Sequence, residues 1–160
     1  IFTRRHINIE SLTTSPSSMP GIHRFTIVVN VTEALVQKLV AQLDKQVEVL
    51  KAFYYHQHEI VYQEIALYKV PVEILYHGSH VEKLLRKYHA RIIDVEPEYV
   101  IIEKTGHQDE TQGLLDELSQ LGIYEFVRSG RVAVVKPMEQ LNHYLKTREV
   151  AAAGKAAHID

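Results

Sequence analysis

Ten histidines in 160 residues are the first candidates for chemistry in this chain. His56 with His58, and His77 with His80 and His89, are the closest sets. None makes the i, i+4 pair of a helical zinc motif, and no carboxylate completes a facial triad beside them. Ordinary surface histidines account for the pattern, so no metal ligand is assigned. Asp94, Glu96 and Glu98 follow a strand-like run and have the types needed for acid–base work. Around Pro97 they read better as a solvated turn. The seven glycines are scattered and form no phosphate-cradling loop. Arg128–Ser129–Gly130 offers a cation and a hydroxyl to an anion, yet Ser-Gly between two strands is first a hairpin connection. With no cysteine, a thiolate nucleophile and thiolate zinc sites are excluded. No catalytic residue is assigned.

Asn8 is harder to place. It stands where a helix end hands over to a strand, between Ile7 and Ile9. One reading is an amide satisfied by a neighbouring loop. The other is an amide that donates and accepts toward a small ligand carrying an amine and a carboxylate. Residue type and spacing leave both open.

The elements that would position these groups follow from periodicity. Ile1–Arg5 reads as the last turn of a helix, and His6 stands where left-handed geometry ends it. Residues 7–12 read as a half-buried strand, 13–21 as a turn cluster, and His23–Val31 as a second strand. Thr32 can cap a helix whose stripe is Leu35, Val36, Leu39, Val40 and Leu43. Residues 47–53 read as a strand. The order is then strand, strand, helix, strand, which is βαββαβ without its first strand and the start of its first helix.

The second half repeats it. Residues 64–70 form a strand, and Ser79 with Glu82 has the form of a capping box before Val81, Leu84, Leu85 and Tyr88. Residues 91–95 and 99–104 are strands. Asp109 and Gln112 offer a helix start before Leu114, Leu115, Leu118 and Leu121, with Gly122 as the stop. Residues 123–127 and 131–135 are closing strands, and Pro137 suits a final helix with Met138, Leu141 and Leu145. The fold expected is α+β: two tandem ferredoxin-like βαββαβ units. Their bounds are 1–58 and 59–150, and 151–160 is a fraying tail.

A formal net charge of −2 gives no basic footprint, so nucleic acid is not an expected partner. No apolar run is long enough to span a bilayer, and no signal-peptide core opens the chain. With the absence of cysteine, this makes a cytoplasmic address the expectation.

The runs "NIESLTTSP", "HRFTIVV" and "VEVLKAF", with the capped helix between the last two, resemble the ACT domain of acetolactate synthase regulatory (small) subunits. "RIIDVEPEYVIIEKTG" and "YEFVRSGRVAVVK" resemble the second domain of the same family. The resemblance implies a non-catalytic subunit that activates a catalytic large subunit and confers feedback inhibition by a branched-chain amino acid, usually valine. It implies that thiamine diphosphate, magnesium and FAD belong to the large subunit, with no cofactor here, and that ACT domains pair in a homodimer. The effector-binding residues it implies are Asn8 and Ile9, at the opening of the second ACT strand. The family commonly carries Gly and an aromatic residue before that Asn. Here His6 and Ile7 stand there, and His6 adds a titratable group. The alternative is an ACT-type amino-acid-sensing module of a transcriptional regulator, which would need a DNA-binding arm that the sequence does not present.

Overall fold

A computed structural model describes residues 1–136. The helix expected after Pro137 and the tail 151–160 lie outside the described residues. Residues 1–54 and 62–133 form one compact unit, and residues 55–61 with 134–136 belong to a second.

The N-terminal half is a two-stranded antiparallel ribbon and a helix. β1 (Ile9–Pro16) pairs with β2 (His23–Val29), Leu12 opposite Ile27 and Thr14 opposite Phe25. β1 begins two residues later than expected and runs through Thr13–Pro16, which read as a turn by composition. Turn chemistry at Ser17 closes the hairpin instead. Its N–H donates to Ile22 O (2.8 Å), and its hydroxyl accepts the Met19 N–H (3.0 Å). α1 (Glu33–Leu43) starts after Thr32, whose carbonyl accepts the first helical bonds while its hydroxyl makes no cap bond. Leu39 is its buried residue, flanked by half-buried Val36 and Val40.

Residues 47–53, expected as a strand, are irregular. A strand needs an edge to complete its ladder, and neither described sheet takes these residues. Asp44 holds the segment instead, accepting the Ala52 N–H (2.6 Å) and pairing with the Lys51 ammonium.

The C-terminal sheet follows the expected order closely. β3 (Ile60–Pro71), α2 (Ser79–Tyr88), β4 (Arg91–Val95), β5 (Tyr99–Gly106), α3 (Gln108–Ser119) and β6 (Glu125–Arg128) give the antiparallel order β4-β5-β3-β6. That is a ferredoxin-like sheet, in which the first and third strands of the unit lie at the centre. Alternation along β3 and β5 turns Ala66, Tyr68, Val70, Val100 and Ile102 to one face. There they meet Val81 and Leu84 of α2 and Leu114 and Leu118 of α3. Each buried branched side chain contributes about 1.5–3 kcal/mol relative to exposure, so both helical stripes close this core.

Two local expectations are corrected. Ser79 is the first helical residue, not a cap. Gly78 stands at that position with φ +51°, and Glu82 pairs with Arg86 at i, i+4. A 3-10 helix at Val72–His77 feeds the chain into this turn and buries Ile74. Nor do β6 and β7 (Val132–Val135) form a hairpin, since each pairs with β3. Ser129–Gly130 is a break between two strands that follow one another along one edge of β3. At 12 residues, β3 is long enough to serve both four-residue strands.

Candidate functional site

The N-terminal turn sets how β1 begins. Thr3–Arg5 makes a 3-10 turn, and His6 ends it in the left-handed conformation (φ 53°, ψ 34°), as its place in the sequence predicts. The Ile7 N–H donates back to Phe2 O (3.1 Å), and Arg5 Nε donates to Gln42 Oε1 on α1 (2.7 Å). Ile7 is buried, so the chain leaves the turn anchored on both sides. Asn8, Ile9 and Glu10 then lie at the surface. The expected half-buried strand starts later than predicted: Asn8, Ile9 and Glu10 are exposed, and the alternation then sets in with half-buried Ser11 and Thr13.

Pairing at this opening is irregular. Ile9 sits opposite Val29 and Ser11 opposite Val28, which leaves Glu10 as a bulge residue. The Asn8 side chain makes no hydrogen bond to a described residue. An exposed amide beside a bulged strand opening leaves donors and acceptors facing outward, which suits a small zwitterion.

The other sequence candidates do not assemble. His56 and His58 stack on each other, ring centroids 5.7 Å apart, in a short turn where Glu59 accepts the His56 N–H (2.7 Å). His89 caps α2 in the left-handed conformation. Among the described residues no three metal-ligating side chains stand together. Asp94, Glu96 and Glu98 are exposed around a turn closed by the Glu96 N–H to Tyr99 O (2.8 Å).

Sequence reasoning missed a charged cluster on the inner half of β3. Glu64 is 5% exposed, and Arg131 Nε donates to its Oε1 (3.1 Å) while Arg128 Nε lies 3.7 Å from Oε2. Arg128 also donates to Thr111 Oγ1 (3.3 Å) on α3. The Arg131 guanidinium lies over the Tyr62 ring (4.4 Å), which stacks on His107 (4.3 Å). A readable signal exists: Glu64 occupies an inward position in the alternation Tyr62, Glu64, Ala66, Tyr68, Val70. A buried charge requires a partner, and the arginines around Ser129–Gly130 supply it.

By fold, then, this is an α+β chain with a ribbon-and-helix half followed by a ferredoxin-like half. Residues 1–51 match the model of the "AHAS small subunit-like ACT domain", and residues 63–137 that of the "Small subunit of acetolactate synthase". The chain is 33% identical over 141 residues to the acetolactate synthase small subunit of Bacillus subtilis, covering 88% of this chain and 81% of that one. It is 36% identical over 136 residues to the probable acetolactate synthase small subunit of Archaeoglobus fulgidus (85% and 84%). It is also similar to the crystal structure of the acetolactate synthase small subunit from Thermotoga maritima, with a TM-score of 0.76, 31% identity and 86% of each chain covered. The chain belongs to the acetolactate synthase small-subunit family, whose named members are small subunits of the enzyme.

Proposed function

We propose that this chain is the regulatory subunit of acetolactate synthase: it docks on a catalytic large subunit, raises its activity, and makes it sensitive to a branched-chain amino acid, valine first among them. Residues 1–58 form the effector-binding unit and 59–150 a second ferredoxin-like unit. Two copies pair through the first. The cofactors of the condensation stay on the large subunit, and the complex works in the cytoplasm. The observation that carries this reading is the opening of β1. Within an ACT-matching segment, a left-handed turn and a buried Ile7 present the unpartnered amide of Asn8 and the bulged backbone at Ile9–Glu10 to solvent.

The mechanism is linkage. A ligand that binds one arrangement of β1 better than another shifts the population toward it, by at most its difference in affinity. The large subunit, bound to the same chain, senses the shift as a coupling free energy between two sites. Isothermal titration of the chain with valine, leucine and isoleucine tests the effector half of the proposal. Saturable binding of at least one is expected. No heat and no binding at millimolar concentration of any of the three would remove it.

A further inference from the structure

The junction between β6 and β7 lies against the strand that opens the proposed effector site. The Arg131 N–H donates to Ser11 Oγ (3.1 Å), two residues along β1 from Ile9. Gly130 approaches β1 more closely than any other residue type permits. A Cβ there would stand 2.3 Å from Thr13 Oγ1, 2.7 Å from Ser11 Oγ and 3.1 Å from Leu12 O. The need for glycine here is one of space, since its φ is not in the left-handed range. Thr13 Oγ1 is enclosed at the contact and finds no hydrogen-bond partner.

The other side of the junction is fixed to the C-terminal sheet. The Ser129 N–H donates to Ile65 O (2.8 Å), and its hydroxyl accepts the Ile65 N–H (2.9 Å), taking the place of a ladder carbonyl. Arg128 and Arg131 flank it and share the carboxylate of Glu64. One short segment thus touches β1 through its backbone and grips β3 through both backbone and side chains.

We propose that Ser129–Gly130–Arg131 is a clasp that positions the effector strand and carries its movement into the ferredoxin-like sheet. Ser11, Gly130 and Arg131 are positioning residues in this account, and the inference rests on the regulatory reading above. The bond from Arg131 N–H to Ser11 Oγ holds β1 in one register against the sheet. Because Thr13 Oγ1 is left unpaired in this arrangement, a shifted β1 that gives it a partner is favoured at that atom. A contact with two accessible arrangements is what a coupled switch requires.

The test uses the full chain reconstituted with its catalytic subunit, as wild type, Ser11→Ala, Ser11→Thr and Gly130→Ala. Valine binding to each chain is measured by calorimetry and the depth of inhibition by assay at saturating valine. Hydrogen exchange of the Arg131 amide reports the clasp without any effector. The expected result is valine Kd within about threefold of wild type in all three variants. Depth of inhibition should fall by more than half in Ser11→Ala and Gly130→Ala, and recover in Ser11→Thr. Faster Arg131 exchange in Ser11→Ala should accompany it. Undiminished inhibition in both clasp variants overturns the proposal, as does unchanged Arg131 exchange. A wild type that binds no branched-chain amino acid overturns the regulatory reading instead, so the two failures are told apart by the wild-type arm.

Discussion

Asn8, just before β1, and Glu103 on β5 show two uses of a polar side chain. Asn8 is exposed at the opening of β1 and spends its amide on no described neighbour. On the proposed function, replacing it with Ala or His would remove a hydrogen bond to the bound amino acid, worth about 1–3 kcal/mol in a partly desolvated complex. Since 1.4 kcal/mol is tenfold, effector Kd should rise by about one to two orders of magnitude. Calorimetry with valine measures it, and an unchanged Kd would return Asn8 to a plain surface role. Glu103 is the buried counterpart. A hydrogen bond from Thr105 Oγ1 (2.5 Å), partly opposed by burial, and the Arg91 guanidinium beside it hold its carboxyl below the ordinary carboxylate value. The folded value is the lower one, so the charged form stabilises the fold above the unfolded value and the contribution fades as pH falls through the folded one. Glu103→Gln should therefore be less stable than wild type near neutral pH. The gap should narrow as pH falls through the ordinary carboxylate range toward the lowered folded value, as read by urea midpoints along that descent.

Elements were legible where burial imposes a period and obscure where a cap or strand break depends on distant partners. The stripe Val81, Leu84 and Leu114, Leu118 could be read directly, because two helices must cover one face of a sheet. The start of α3 could not. His107 is its N-cap, an unfavoured type, made workable by Glu110 accepting the His107 N–H (2.8 Å). The capping cue at Ser79 misled because the preceding 3-10 helix and the positive φ of Gly78 begin α2 one residue earlier. Ser129–Gly130 misled because a hairpin and a break between two strands on one edge share the same residues. What separates them is the length of β3, and the apolar run at 64–70 concealed its first four residues. Beside the apolar packing of β3 on α3 there is a buried bond, Tyr68 Oη donating to Thr111 O (2.6 Å). Burial raises the Tyr68 pKa well above its ordinary value and keeps the phenol protonated as a donor. Tyr68→Phe leaves that carbonyl without its partner and should cost about 1–2 kcal/mol, read as a lowered urea midpoint with unchanged slope.

At the scale of the molecule, the family accounts for the mixture of a regular sheet and an irregular N-terminal ribbon. The sheet of the second half is complete in the ferredoxin-like order, whereas β1 and β2 form a ribbon of two. Two strands alone are marginal, and this ribbon leaves Leu12 and Phe25 exposed. Strand edges are covered by pairing with another edge, and a twofold dimer is the common solution. Light scattering at micromolar concentration should give at least twice the mass of one chain, and a monomer would contradict the paired arrangement. Among the described residues no helix is long and apolar enough to cross a membrane. The exposed Ile65, Leu67 and Val127 lie on the sheet face opposite the helices. Regulation of a partner enzyme is read most directly from acetolactate formation by the catalytic subunit alone, by this chain alone, and by the two together with and without valine. The account predicts no turnover by this chain, higher activity of the mixture than of the catalytic subunit, and loss of that activity on adding valine. Turnover by this chain alone, or a mixture no more active than the catalytic subunit and indifferent to valine, would contradict it.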